Sequence, residues 1–137
     1  DVYKRQGFKK LTEENVDEML ADTGLKLVLF ADDPNRVRET LDIVVIGPEL
    51  KKVFKDYLSS CWMADVKKAR AMSTRFGVKR LPAVAFFRGA KFLGASEGLK
   101  NWDEYLEELG VIGSRTDAEA PRRTITIVSS NQEENYH

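Results

Sequence analysis

Sulfur and imidazole chemistry are nearly absent from this chain. Cys61 is its one cysteine, and His137, the last residue, is its one histidine. A single thiol forms neither an internal disulfide nor a dithiol redox pair, and no Cys/His cluster exists to hold a structural zinc. Cys-His or Ser-His catalysis needs an imidazole held in place, which a chain terminus does not supply. Asp32 and Asp33 are adjacent carboxylates, but no cofactor motif or orienting histidine accompanies them, so a paired-carboxylate catalyst is disfavoured. Asp-Asp-Pro at 32–34 is also ordinary turn chemistry, with aspartates accepting backbone hydrogen bonds. Cys61 opens a short apolar run, where a cysteine packs as a small hydrophobe. A monothiol redox role for Cys61 is the enzymatic alternative. The inventory therefore favours a binding protein that uses no metal or other cofactor.

The elements that would carry these residues follow from periodicity. Thr12 reads as an N-cap, and Val16, Met19 and Leu20 recur at helical spacing until Thr23-Gly24. Leu25 to Ala31 is almost wholly apolar and ends at the Asp-Asp-Pro turn, as a strand buried on both faces does. An apolar patch from Ile43 to Ile46 has no assignment. Pro48 suits the first turn of a second helix, with Leu50, Val53, Phe54, Tyr57 and Leu58 as its buried stripe. Cys61 to Val66, after Ser59-Ser60, reads as a second internal strand. Ala69, Met72 and Phe76 mark a third helix closed by Gly77. Ala83–Phe87 and Lys91–Ser96 form a hairpin about Arg88-Gly89-Ala90, and Asn101 caps a last helix containing Trp102, Tyr105, Leu106 and Leu109. Trp62 and Trp102 read as packing residues. Crossover and hairpin together imply an α/β fold with a central mixed sheet flanked by helices.

Of 137 residues, 42% are apolar, enough for one core without staples. Lys+Arg and Asp+Glu both number 22, so no overall field draws the chain to nucleic acid or an anionic membrane. No apolar run approaches the roughly 20 residues of a membrane span, and the basic start has no apolar segment behind it, so no membrane insertion and a cytoplasmic location are expected. Residues 1–7 read as an adaptor-derived or disordered segment, 8–112 as the domain, and 113–137 as a disordered tail around the β-prone run Thr124–Val128.

Phe76-Gly77-Val78-Lys79-Arg80-Leu81-Pro82-Ala83, entering the hairpin in this element order, resembles the cis-proline signature of thioredoxin-fold proteins. The stretch matching their Cys-x-x-Cys motif is Asp32-Asp33-Pro34-Asn35-Arg36, and the likeness places Leu29 where their buried aspartate stands. LVLFADDPNR, VVIGPELKKVF and ADVKKARAMSTRFGVKRLPAVAFFRGAKFLGASEGLKNWDEYL together resemble the hydrogenase expression protein family HyaE/HupG, over roughly residues 8–112. The resemblance implies a thioredoxin-like chaperone without the redox pair. Its implied partner is the precursor of the hydrogenase small subunit, bound through its twin-arginine signal peptide.

In such a fold a cis bond at Pro82 turns the backbone of Leu81 toward a groove that can pair with an extended peptide. Asp32 and Asp33 would give an arginine pair charge-assisted, bidentate partners. Arg36 and Arg80 either pair with nearby acids to fix the loop or are solvated. The first helix (Glu13, Glu14, Asp17, Glu18, Asp22) and the last (Asp103, Glu104, Glu107, Glu108) carry acidic faces that would steer a basic segment or simply face solvent. The candidate site is therefore Asp32, Asp33, Arg36, Arg80, Leu81 and Pro82. A generic interaction domain on the same fold is the remaining alternative.

Overall fold

Leu25-Lys26-Leu27-Val28-Leu29-Phe30 is buried at every position and forms the middle strand of a five-stranded sheet. The computed structural model describes residues 7–31 and 40–115. Their elements are β1 (Phe8–Leu11), α1 (Val16–Ala21), β2 (Leu25–Phe30), α2 (Thr40–Phe54), a 3-10 turn (Lys55–Tyr57), β3 (Leu58–Ala64), α3 (Ala69–Arg75), β4 (Ala83–Arg88), β5 (Lys91–Glu97) and α4 (Trp102–Gly113). The sheet order is β1-β3-β2-β4-β5. β3 runs parallel to both β1 and β2, β4 is antiparallel to β2, and β5 is antiparallel to β4. The α/β class and mixed sheet expected from the sequence are therefore present.

Alternation along the strands makes two cores. Leu25, Leu27 and Leu29 face α2 and α4, packing with Ile43, Leu50, Phe54, Tyr105 and Leu109. Val28 and Phe30 face α1 and α3, packing with Met19, Trp62, Met72 and Leu81. Phe54 meets Phe86 edge to face at 5.2 Å on the first side, and Phe76 meets Phe87 at 4.8 Å on the second. Such aromatic contacts add specificity to area burial.

Three expectations change. The unassigned patch at 43–46 is helical: α2 begins at Thr40, and Pro48 lies inside it rather than in its first turn. An interior proline removes one ladder hydrogen bond and disfavours a helix by about 3 kcal/mol. The buried positions 43, 47, 50 and 54 outweigh that, with Gly47 packed so close that an added Cβ would stand 2.5 Å from Leu29 Cδ1. Second, the stripe expected to run to Leu58 stops at Phe54; Tyr57 is exposed, and Leu58, Ser59 and Ser60 already belong to β3, which ends at Ala64 rather than Val66. Third, Thr12 does not cap the first helix. Asn15 is its N-cap residue, and Thr12 instead exchanges hydrogen bonds with Asn15. β1 carried no expectation at all. The start at 1–6 and the tail beyond Arg115 lie outside the described residues.

Candidate functional site

The third helix ends as its residues require: Phe76 is its C-cap and Gly77 takes a positive φ of 84°, where a side chain would be strained. The chain then crosses to the head of β4, and the Leu81-Pro82 bond there is cis. Two contacts hold this crossing in place. Glu97 Oε1, at the end of β5, accepts from the amides of Lys79 (2.9 Å) and Arg80 (2.8 Å). The Gly98 amide donates to the Pro82 carbonyl at 2.8 Å. Arg80 lies over Gly98, whose φ of 79° suits only glycine, and an added Cβ would stand 3.1 Å from Arg80 Cζ.

Arg80, Leu81, Pro82, Gly98 and Leu99 line a shallow depression of about 400 Å3. Leu81 and Pro82 are themselves largely covered, Leu81 being 7% exposed, whereas Leu99 is 39% exposed. Among the described residues, no hydrogen bond engages the Leu81 amide or carbonyl. The depression thus sets backbone groups that lack a hydrogen-bond partner among the described residues beside an apolar shoulder, an arrangement that suits an extended peptide better than a small molecule.

Of the six sequence-derived site residues, the structure brings Arg80, Leu81 and Pro82 together. Asp32, Asp33 and Arg36 lie outside the described residues. Glu97, Gly98 and Leu99 had no sequence-level assignment to the site. The only cue was a glycine directly after the hairpin strand, and its pairing with Pro82 required the hairpin to be closed.

Cys61 is on the opposite face of the sheet from Leu81, in the core with Phe8, Leu27 and Met63. It is 3% exposed, and burial pushes its thiol up to about 11, with Lys51 pulling weakly the other way. A buried, protonated thiol is inert at neutral pH. Among the described residues no group of three or more His, Cys, Asp or Glu side chains could hold a metal, and none of their helices is long and apolar enough to cross a membrane. Trp62 packs in the core and donates Nε1–H to Ser60 Oγ at 2.8 Å, while Trp102 is 38% exposed.

Comparison with known proteins gives the family of the chain. The family model described as Hydrogenase-1 expression protein HyaE matches residues 1–105. The hydrogenase expression/formation protein HoxO of Azotobacter vinelandii is 32% identical over 116 residues, covering 85% of this chain and 77% of that one. HupG of Bradyrhizobium diazoefficiens is 28% identical over 132 residues, covering 93% and 88%. Among solved structures, a putative HupG from Rhodopseudomonas palustris superposes with a TM-score of 0.53 at 28% identity, over 76% of this chain and 93% of that one. Human ERp44 in its zinc-bound form gives 0.59 at 19% identity, over 75% of this chain and 29% of that one, a likeness of the thioredoxin-like fold alone. The chain belongs to the HyaE family of hydrogenase expression proteins.

Proposed function

We propose that this protein is a non-catalytic accessory chaperone of nickel-iron hydrogenase maturation, holding the small-subunit precursor by its twin-arginine signal peptide before export. The observation that carries the reading is the depression lined by Arg80, Leu81, Pro82, Gly98 and Leu99, with the Leu81 backbone unengaged by any described residue. Apolar residues of the signal would rest on Leu99 and its backbone would pair with Leu81. Asp32 and Asp33, which follow β2 in the sequence, are assigned the arginines, and Arg36 and Arg80 a supporting part in the same site. The relatives named for hydrogenase expression and formation support the pathway. The sealed, protonated Cys61 speaks against a monothiol redox enzyme. Holding a precursor before export also assigns the protein to the cytoplasm.

The test is calorimetric titration with a twin-arginine signal peptide and with its Lys-Lys counterpart, against wild type and Asp32→Ala/Asp33→Ala. The arginine peptide is expected to bind more tightly to wild type, because a carboxylate takes guanidinium in bidentate fashion but ammonium only as a point charge. The double variant is expected to lose that preference. If neither peptide binds at high micromolar concentration, the signal-peptide reading fails; if the double variant is unaltered, Asp32 and Asp33 are not the arginine site.

A further inference from the structure

β5 ends the sheet order, and its outer edge has no strand partner among the described residues. Two hydrogen bonds fix which of its groups face outward. The Gly98 amide donates to the Pro82 carbonyl between β5 and β4, and the Gly89 amide to the Gly24 carbonyl between β4 and β2. Antiparallel pairing alternates bonded and non-bonded positions. Both bonds therefore turn the backbone groups of Gly94 and Ser96 toward β4 and leave the amides and carbonyls of Ala95 and Glu97 pointing away from it. Leu93, at the bulge, gives its carbonyl to Arg115 Nη1 at 2.7 Å. β5 has its charges only at its ends, Lys91 and Glu97, so no charge along Phe92–Ser96 guards this edge. β1, at the other edge, is four residues long and carries exposed Lys9 and Lys10, a common guard against pairing.

α4 lies along the β5 edge and runs antiparallel to the strand. Glu108 is near Ser96, Ile112 near Gly94 and Arg115 near Leu93. A cleft of about 510 Å3 opens between Ala95 and the outer face of α4, where Glu104, Glu107, Val111 and Arg115 are all exposed. Acids stand at the start of that face and the arginine at its end. Such an order complements itself when the helix meets a second copy running the other way, as a twofold axis requires.

Charge also selects the register. An axis through Ser96 would set Glu108 against its own counterpart, a like-charge contact. An axis through Ala95 is level with about residue 110 of α4, and it brings Arg115 to within about one helical rise of Glu104 on the other copy. α4 packs over β4 as well as β5, Arg88 Nη2 donating to the Gly113 carbonyl at 3.4 Å. With strands about 4.8 Å apart, the two α4 axes would then lie about 10 Å from each other, an ordinary distance for packed helices.

We propose that β5 pairs antiparallel with β5 of a second copy of this chain, about a twofold axis through Ala95, joining the two sheets into one. The Ala95 amide of each copy donates to the Ala95 carbonyl of the other, Arg115 pairs with Glu104 across the axis, and the exposed Val111 is covered by the facing helix. This goes beyond the chaperone reading and does not depend on it.

Sedimentation velocity of the full chain over a concentration series tests this, with hydrogen–deuterium exchange at Ala95 read on the same samples. Wild type is expected to dimerise reversibly, and Ala95 exchange to slow as concentration rises. Ala95→Pro removes the outward donor without removing a hydrogen bond to β4, and should weaken the dimer about tenfold or more. Arg115→Glu and Glu104→Arg each set like charges across the axis and should weaken it by about as much. An equimolar mixture of those two variants should regain association, because every contact across the mixed dimer again joins opposite charges. A chain that stays monomeric up to about 1 mM overturns the proposal. So does a dimer indifferent to all three substitutions, or Ala95 protection independent of concentration, which would mean that the edge is covered within one chain. No signal peptide enters these measurements, so this proposal and the chaperone reading stand or fall separately.

Discussion

At the scale of single residues, burial decides which reactive groups can act. Cys61 is the one thiol, and its value of about 11 against an ordinary 9.0 means that folding lowers its thiolate fraction at neutral pH by about a hundredfold. Iodoacetamide should therefore modify the native protein at least about 100 times more slowly than the urea-unfolded chain. Equal rates would revive the monothiol alternative. The packing role of Cys61 was legible in the sequence because its neighbours Trp62, Met63 and Ala64 are apolar. Lys26 was not. It sits in an otherwise apolar strand and is fully buried, its ammonium donating to the carbonyls of Asp22 and Gly89. Burial lowers its pKa, the nearby Asp22 carboxylate acting in opposition. Nothing local distinguishes a lysine that snorkels to solvent from one that finds two carbonyls at the end of the sheet.

At the scale of elements, the last helix was read correctly because its start signal is self-contained. Asn101 accepts from the Glu104 amide at 2.9 Å, while Glu104 Oε1 accepts from the Asn101 amide at 3.2 Å. This reciprocal capping box satisfies amides that the first turn leaves unpaired. Asn101→Ala should cost about 1 kcal/mol in urea unfolding, and Glu104→Gln, which can still close the box, should cost less. Equal losses would assign the effect to the carboxylate charge at the helix start instead. Thr12 carries an equally plausible cap signal, yet its hydroxyl accepts from the Asn15 amide and the helix begins at Val16. α2 erred the other way. Pro48 looks like a beginning, and only the packing of Ile43 and Gly47 against β2 shows that about two turns precede it.

At the scale of the whole molecule, one polar cluster ties distant elements together at the foot of the sheet. The Asp22 carboxylate, just after α1, accepts from Ser59 Oγ (2.7 and 2.6 Å), Ser60 Oγ (3.0 Å) and the Gly24 amide (3.0 Å). Lys26 extends the cluster to the β4–β5 turn through Gly89. The Ser59 hydroxyl, then the Gly24 amide, hold the Asp22 carboxyl below its ordinary 3.8 against the opposing effect of burial. A folded-state value below the unfolded one stabilises the fold at pH above 3.8, and that contribution is lost as pH falls through the folded value. Wild type should therefore exceed Asp22→Asn in urea midpoint at pH 6, and the gap should close as the solution is acidified; a gap independent of pH would mean that the carboxylate charge is not the source. The residue inventory by itself determined that these 137 residues hold no pair of thiols, which is a matter of composition alone, and periodicity determined most of the element order, because it depends on residues that are neighbours in the chain. The tertiary structure alone decided that Phe8–Leu11 pairs with β3, that α2 runs through Pro48, that Lys26 is buried, and that Glu97 and Gly98 secure the backbone around Leu81-Pro82. Each of these depends on contacts across wide gaps in sequence, where packing and hydrogen bonding outweigh local preference.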